Sequence, residues 1–199
     1  MKDALIYIHG KDGSATESAL YAPLFPALDV LGFDYRAQSP WEAREEFPAY
    51  FAAQRRTHGR VTLLANSIGA FFSMSALTAA EVDRALFLSP IVDMERLILD
   101  MLSWAGATED ELRRRGTIPT DFGETLSWDY LSYVRSHPLH WTIPTHVLVG
   151  GRDHLTAPET FAAFAAATGA TLTTMPDGEH WFHTAEQLAF AKNWLAHNL

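Results

Sequence analysis

The stretch from Val61 to Ala70 constrains the fold most strongly, because it passes from a strand to a helix with almost no loop. Val61–Ala65 is an apolar run typical of a buried strand, and the pattern from Ile68 to Ala80 predicts a helix. A reversal within about two residues forces the residue at the turn into a strained backbone conformation. That residue is Ser67, and it is flanked by the small side chains that such a turn requires, namely Ala65, Gly69 and Ala70.

Strands alternate with helices along most of the chain. Alternation of this kind requires right-handed crossovers and predicts an α/β fold with a mostly parallel sheet and helices on both faces. We expect the first strand to lie between the second and third, with the later strands added outward in chain order. The predicted strands are Ala4–Ile8, Phe33–Ala37, Val61–Ala65, Arg84–Ser89, His146–Gly150 and Ala170–Met175.

Composition limits the classes of partner and compartment. The 199 residues suit a single domain covering positions 1–199, and 48% hydrophobic residues can bury a sizeable core. A formal net charge of -9 disfavours nucleic acid and anionic membranes as partners. The chain has no cysteine, no long apolar run and no room for a signal peptide before its first strand. We therefore expect a cytoplasmic enzyme that does not bind a membrane.

The turn around Ser67 resembles the nucleophile elbow of the α/β-hydrolase superfamily, Gly-x-Ser-x-Gly, with Ala65 in place of the first glycine. His9-Gly10-Lys11, directly after the first strand, resembles the superfamily's His-Gly-x loop. The resemblance implies that Ser67 is a nucleophile. It also implies that the backbone N–H groups of Ile68 and Lys11 form an oxyanion hole, in which preorganised donors bind the developing negative charge.

A serine nucleophile needs a base and a group that orients the base, and the superfamily places them in the order serine, acid, histidine. Asp153 ends a Gly-x-x-Asp turn after one late strand, and His180 follows the last strand. The resemblance therefore implies that Asp153 is the acid and His180 the base. His183 is the alternative base, and Asp93, after the fourth strand, is the alternative acid.

A metal site is the other interpretation of these loops. Carboxylate and imidazole groups are typical zinc ligands, and four of them lie in the two loops: Asp153, His154, His180 and His183. No helical His-Glu-x-x-His motif and no cysteine pair accompanies them. We therefore predict no metal and no other cofactor.

The segment from Asp93 to Trp141 interrupts the alternation of strands and helices. Its pattern predicts helices over 94–105, 108–115 and 126–135, and no strand. Two interpretations stay open, an enlarged helical crossover layer and a small cap over the active site, which the superfamily commonly inserts at this point. On the second interpretation Trp104 and Trp128 contact the substrate, and Trp181, next to His180, is a third candidate contact.

These observations together predict a three-layer α/β-hydrolase fold with about six strands, lacking the first two strands of the family, and a helical insert at 93–141. The implied function is a serine hydrolase that cleaves a small-molecule carboxylic ester through an acyl-enzyme. Thioester or amide hydrolysis is the alternative within enzymes, because all three pass through similar tetrahedral intermediates. A catalytically inactive ligand-binding protein is the alternative from another class.

Overall fold

The computed structural model describes all 199 residues, and they form two compact units. The first unit comprises Met1–Val92 together with His140–Leu199, and the second comprises Asp93–Leu139. No helix in either unit combines the length and the apolar character needed to cross a lipid bilayer.

The first unit is built on a six-stranded, fully parallel sheet with the spatial order β2-β1-β3-β4-β7-β8. This confirms the predicted fold class and strand order. The strands are β1 (Ala4–Ile8), β2 (Asp29–Gly32), β3 (Val61–Asn66), β4 (Arg84–Leu88), β7 (Thr145–Gly150) and β8 (Thr171–Met175). The helices are α1 (Pro40–Thr57), α2 (Ile68–Ala76), α6 (Pro158–Thr168) and α7 (Ala185–Asn198).

Successive side chains of a strand point to opposite sides of the sheet, and in the central strands the side chains on both sides are apolar. Helices therefore cover both faces of the sheet. All five residues of β1 are buried. Leu5 and Tyr7 belong to a cluster with Trp194 and Leu195 of α7. The side chains between them, such as Ile6, point to the opposite face of the sheet. Continuous apolar strands in the sequence therefore correspond to strands buried on both faces.

The predicted second strand, Phe33–Ala37, is wrong, because β2 ends at Gly32. Aromatic packing on α1 redirects the chain beyond that point: the Phe33 ring stacks on Tyr50 with centroids 4.0 Å apart. The carboxylate of Glu46 then accepts hydrogen bonds from the backbone N–H groups of residues 36 and 37, at 2.9 to 3.0 Å. These N–H groups are consequently not available to a sheet.

Three helices also differ from what the sequence pattern predicts. Ser14-Ala15-Thr16-Glu17 has the sequence pattern of a capping box that begins a helix. The box is present, but it begins a 3-10 helix, Ala15–Leu20, followed by a second at Ala22–Leu24. Thr156-Ala157-Pro158-Glu159 has the same pattern, but the cap that it predicts is wrong, because α6 begins after Ala157 without a side-chain cap. The backbone N–H of Thr156 instead points to the Asp153 carboxylate at 3.4 Å. The first helix after β3, expected to reach position 80, ends at position 76.

The second unit contains a strand pair as well as helices, so the prediction that this segment has no strand is wrong. β5 (Thr117–Pro119) and β6 (Thr125–Ser127) are antiparallel, and Ile118 faces Leu126 in a buried pair. Strands of three residues are too short to show a period of two in the sequence. Leu126 therefore belongs to a strand, and the helix predicted from that position begins two residues later.

The helices of the second unit are α3 (Met94–Trp104), α4 (Glu109–Arg115) and α5 (Trp128–Ser136). Arg135 on α5 joins all three, because its guanidinium donates to Glu95 at 2.7 Å and to Glu109 at 2.6 and 2.9 Å. Trp141, assigned to the insert from the sequence, belongs to the first unit, where its indole N–H donates to the Thr145 hydroxyl at 2.7 Å.

Asp83 holds the start of β3, and its replacement provides a test of the sheet. Its carboxylate accepts hydrogen bonds from the Val61 N–H at 2.8 Å and from the guanidinium of Arg55. Burial by itself raises the pKa of Asp83, but the bonds from Arg55 and Val61 outweigh it and leave the pKa below its ordinary value. The carboxylate therefore stabilises the fold above its ordinary pKa, and this stabilisation is lost as pH falls through the lowered folded pKa.

We expect Asp83→Asn to lower the free energy of unfolding at neutral pH by about 1 kcal/mol. The loss is this small because the Asp83 side chain is partly exposed, so water screens its interaction with Arg55. Urea unfolding at neutral pH and below the folded pKa measures the effect, which should shrink at acid pH. Asp34→Asn is the control, because Asp34 is an exposed carboxylate in the same unit. Equal losses in both variants would contradict the proposed role of Asp83.

Candidate active site

Ser67 lies on the turn between β3 and α2 with a strained backbone. Its φ is 52° and its ψ is -122°, a region that residues other than glycine rarely adopt and that costs about 1–3 kcal/mol. Two backbone hydrogen bonds hold it there: Ser67 N–H donates to the Leu88 carbonyl at 3.0 Å, and Ile91 N–H donates to the Ser67 carbonyl at 3.1 Å. The surrounding backbone thus maintains the strain that the sequence predicted.

Gly69 allows this turn to pack against the end of β1. A Cβ atom at position 69 would lie 2.3 Å from the His9 carbonyl oxygen and 3.0 Å from that of Ile8. Both contacts are with backbone atoms, so no side-chain rotation would relieve them. Glycine at this position therefore brings the first turn of α2 directly against the loop that follows β1.

His180 reaches Ser67 from the loop after β8. The Ser67 Oγ and His180 Nε2 atoms are 2.9 Å apart, although 112 residues separate the two in the chain. The loop is held by the neighbouring loop after β7, since Arg152 N–H donates to the Gly178 carbonyl at 2.8 Å. A Cβ on Gly150 would lie 2.4 Å from that same carbonyl oxygen, so the two loops approach as closely as backbone atoms allow.

Asp153 holds the other nitrogen of the imidazole. Its Oδ2 atom lies 2.7 Å from His180 Nδ1, while its Oδ1 accepts the Leu155 N–H at 2.8 Å. The Asp153 side chain is 1% exposed, so its charge depends on these hydrogen bonds rather than on water. An ionised carboxylate only accepts, so Nδ1 carries the proton and Nε2 is left to accept from the Ser67 hydroxyl.

The alternative residues have other partners. Asp93 is the N-cap of α3, and its Oδ1 accepts the Arg96 N–H at 2.9 Å. The Nδ1 of His183 donates to the Trp181 carbonyl at 2.8 Å and lies 3.2 Å from a Glu179 oxygen. His154 is exposed. No group of three or more His, Asp or Glu side chains is placed to hold a metal ion.

The loop after β1 lies against Ser67. A Cβ on Gly10 would be 3.2 Å from the Ser67 Cβ. The loop is fixed from the other side by Tyr35, which donates its hydroxyl hydrogen to the His9 carbonyl at 2.9 Å and stacks on the His9 ring at 4.3 Å. Lys11 belongs to this loop, whereas Ile68 is the first residue of α2, where an N–H has no acceptor within the helix. Their roles as oxyanion donors remain predictions.

Comparison with known proteins identifies the fold. No protein-family model matches the chain. The mouse alpha/beta hydrolase domain-containing protein 10 superposes with a TM-score of 0.76 at 13% identity, covering 98% of this chain and 88% of the mouse chain. Est1E from Butyrivibrio proteoclasticus superposes with a TM-score of 0.73 at 16% identity, covering 99% and 87%. The protein has the α/β-hydrolase fold.

Two further comparisons concern named activities. The type II thioesterase BorB from the borrelidin biosynthetic cluster shares the α/β-hydrolase fold with a TM-score of 0.60 and 20% identity, over 99% of this chain and 92% of BorB. A Mycoplasma genitalium protein named "Putative esterase/lipase 3" is 32% identical over 79 residues, which are 38% of this chain. The match spans only 28% of the length of that relative.

The three tryptophans predicted to contact substrate lie in different places. Trp181 is beside His180 in the first unit and is 69% exposed. Trp104 and Trp128 lie in the second unit, where Trp104 contacts Phe122 with ring centroids 6.2 Å apart and Trp128 faces the Arg113 guanidinium at 5.7 Å. A role in substrate binding stays a prediction for all three.

Sequence reasoning missed the side chains that position the loop after β1 of this α/β-hydrolase fold. The sequence pattern places Tyr35 in a strand, and nothing in its neighbourhood indicates that its hydroxyl binds the His9 carbonyl. The pattern indicates a role for Glu17 only in a capping box. Its second oxygen also accepts the Tyr7 hydroxyl hydrogen at 2.5 Å, which ties the 3-10 helix to β1. The capping box was the only available signal for this connection.

We expect Gly69→Ala to lower the free energy of unfolding by about 1–3 kcal/mol, because the added methyl group displaces the backbone after β1. Urea unfolding measures this loss. Ser75→Ala, near the end of the same helix, is the control and should change stability by less than about 0.5 kcal/mol. A Gly69→Ala protein as stable as the wild type would contradict the close approach of α2 and the loop.

Proposed function

We propose that this protein is a serine hydrolase that cleaves a carboxylic ester through an acyl-enzyme. One observation carries the proposal: the hydrogen-bonded series from Ser67 to His180 to Asp153, with distances of 2.9 and 2.7 Å. A hydroxyl that donates to an imidazole, which in turn donates to a buried carboxylate, is the arrangement that activates serine as a nucleophile. It lies at the carboxyl edge of a parallel sheet, where α/β folds bind their ligands.

In the first half of the reaction the Ser67 oxygen forms a bond to the carbonyl carbon of the ester. The hydroxyl proton passes to His180 Nε2, and the carbonyl oxygen becomes an oxyanion that accepts hydrogen bonds from the N–H groups of Ile68 and Lys11. When the tetrahedral intermediate collapses, the carbon–oxygen bond to the alcohol breaks. His180 returns the proton to the departing alkoxide, which leaves as an alcohol.

The second half repeats these steps with water. His180 takes a proton from water as the water oxygen attacks the acyl group on Ser67, and collapse of the second intermediate breaks the bond to the Ser67 oxygen. The proton then passes from His180 to Ser67. The products are a carboxylic acid and the regenerated serine. Asp153 keeps the imidazole oriented and stabilises the imidazolium in both halves, without taking the proton itself.

The same three residues could act on an ester, a thioester or an amide, and we propose an ester because an alkoxide is a better leaving group than the nitrogen of an amide. Thioester hydrolysis uses the same groups. The similar proteins include one named "Putative esterase/lipase 3", which matches in sequence over 79 residues, and one named as a thioesterase, which matches in fold. Measuring the hydrolysis rates of an ester, a thioester and an amide that carry the same acyl group distinguishes these three substrate classes. A series of p-nitrophenyl esters then gives the preferred acyl length.

Ser67→Ala should abolish labelling by a fluorophosphonate probe and reduce ester hydrolysis by at least about 10³-fold, because the nucleophilic oxygen is removed. Ser89→Ala is the matched control: Ser89 also follows directly after a strand and has a positive φ, of 41°, and its hydroxyl is buried without a hydrogen-bond partner. Labelling should survive in that variant. A phosphonate adduct on a serine of the Ser67→Ala protein would refute the assignment, and absence of labelling in the folded wild type would favour an inactive binding protein.

Asp153→Asn should lower kcat by about 10³- to 10⁴-fold, because an amide no longer selects the required imidazole tautomer. KM should change much less. Asp93→Asn tests the alternative acid and should leave kcat within a few-fold of the wild type, since that side chain caps α3. A larger loss of kcat in Asp93→Asn than in Asp153→Asn would reverse the two assignments.

A further inference from the structure

The first unit contains a pocket whose lining includes none of the proposed catalytic residues Ser67, Asp153 and His180. Its volume is about 460 Å³, within the range of small-molecule sites. It is bordered by the first 3-10 helix, the ends of β1, β3 and β4, the loop after β8 and the helix α7. Every residue that lines it belongs to the first unit.

The pocket lies next to the proposed catalytic residues in the chain. Asn66, the residue before Ser67, and Trp181, the residue after His180, both line it. Asn66 is paired with Leu88 across β3 and β4, and Leu88 lines the pocket as well. A group bound here would therefore be held by the same strand end and the same loop that carry Ser67 and His180.

Aromatic rings provide much of the wall. Tyr7 and Tyr21 lie with their ring centroids 5.3 Å apart and tilted by 43°, and Phe182 and Trp181 extend the wall along the loop after β8. Two residues of the lining are large and exposed: Trp181 is 69% exposed and Leu20 is 51% exposed. Large apolar side chains left in water around an open pocket are typical of binding sites.

The two tyrosines present neutral surfaces. The Tyr7 hydroxyl donates to Glu17 at 2.5 Å, and the other Glu17 oxygen accepts the Ser14 N–H at 3.0 Å, so both carboxylate oxygens are occupied. Burial raises the pKa of Tyr7, and burial together with the Glu17 charge raises the pKa of Tyr21 to about 12. Both phenols therefore stay protonated at neutral pH.

Charge complementarity disfavours an ionic ligand. Glu17 and Lys192 both line the pocket, so a bound anion would face the carboxylate and a bound cation would face the ammonium group. A neutral ligand avoids both conflicts. Among neutral groups, a planar ring gains from offset or edge-to-face contact with Tyr21 and Trp181, which an aliphatic group of the same size does not.

We propose that this pocket binds a neutral aryl group of the ester substrate. The proposal rests on the proposed function, because it assigns the pocket to the substrate of Ser67. It narrows the substrate class to esters that carry an aryl group within reach of the carbonyl, on the acyl or the alcohol side. The aryl group would lie between the first 3-10 helix and the loop after β8, while the carbonyl carbon meets Ser67.

Binding to the Ser67→Ala protein tests the pocket without turnover. The ligands are two matched pairs of neutral esters: methyl 3-phenylpropanoate with methyl 3-cyclohexylpropanoate, and 2-phenylethyl acetate with 2-cyclohexylethyl acetate. We expect the phenyl ester of at least one pair to bind more tightly than its cyclohexyl partner in a calorimetric or NMR titration. If apolar burial alone governed binding, the cyclohexyl esters would bind at least as tightly, and that result overturns the aryl assignment.

Variants in the Ser67→Ala background locate the site. Tyr21→Leu and Trp181→Ala should each weaken binding of the preferred phenyl ester by about two- to twelve-fold. Trp41→Ala is the control, because this partly exposed tryptophan on α1 does not line the pocket. Trp181 is largely in water, so its variant should fold even if Tyr21→Leu does not. Unchanged phenyl binding in a folded Trp181→Ala protein would overturn the proposal.

Labelling by the fluorophosphonate probe distinguishes a failure of the aryl assignment from a failure of the proposed hydrolase function. A wild type labelled at Ser67 but without preference for phenyl esters overturns only the aryl assignment. A wild type that binds phenyl esters in the pocket but is never labelled at Ser67 overturns the hydrolase function, and with it the assignment of the aryl group to a substrate.

Discussion

The close contact between the end of β1 and the first turn of α2 is the constraint on which the rest of the site depends. Gly69 permits it, since any side chain there would meet the His9 and Ile8 carbonyl oxygens. The contact places Ser67 at a fixed height above the sheet and puts the His9–Lys11 loop beside it. The strain at Ser67 persists because the backbone on both sides of the turn is hydrogen-bonded to the neighbouring strand end and its loop.

A second close contact brings Asp153 and His180 together. Adjacent parallel strands end at the same edge, so the loops after β7 and β8 are neighbours by topology alone. Topology does not, however, set the distance of 2.7 Å between Asp153 and His180. That distance depends on backbone packing between Gly150 and Gly178, and on the hydrogen bonds that compensate the burial of the Asp153 carboxylate.

The errors in the sequence-based prediction share a physical cause. Phe33 and Tyr35 alternate like residues of a strand. Their rings instead pack on Tyr50 and Phe47 of α1, and this packing stabilises the segment more than a position at the edge of the sheet would. Ile118 and Leu126 form a strand pair through a contact between two separate short segments. In both cases the deciding partner is distant in sequence, so local propensity carries no information about it.

The sequence by itself determined the parallel sheet, its strand order and the residues around which the site is built. Buried parallel strands are continuous apolar runs, and a reversal at Ser67 without a loop permits few conformations. Only the tertiary structure decided that Asp153 rather than Asp93 meets His180, that Tyr35 holds the His9 carbonyl, and that a pocket with aromatic walls opens beside Asn66 and Trp181. Hydrogen bonds and cavities depend on differences of a few tenths of an ångström in the distances between segments far apart in the chain. Packing of the whole chain sets these distances, and the local sequence pattern does not.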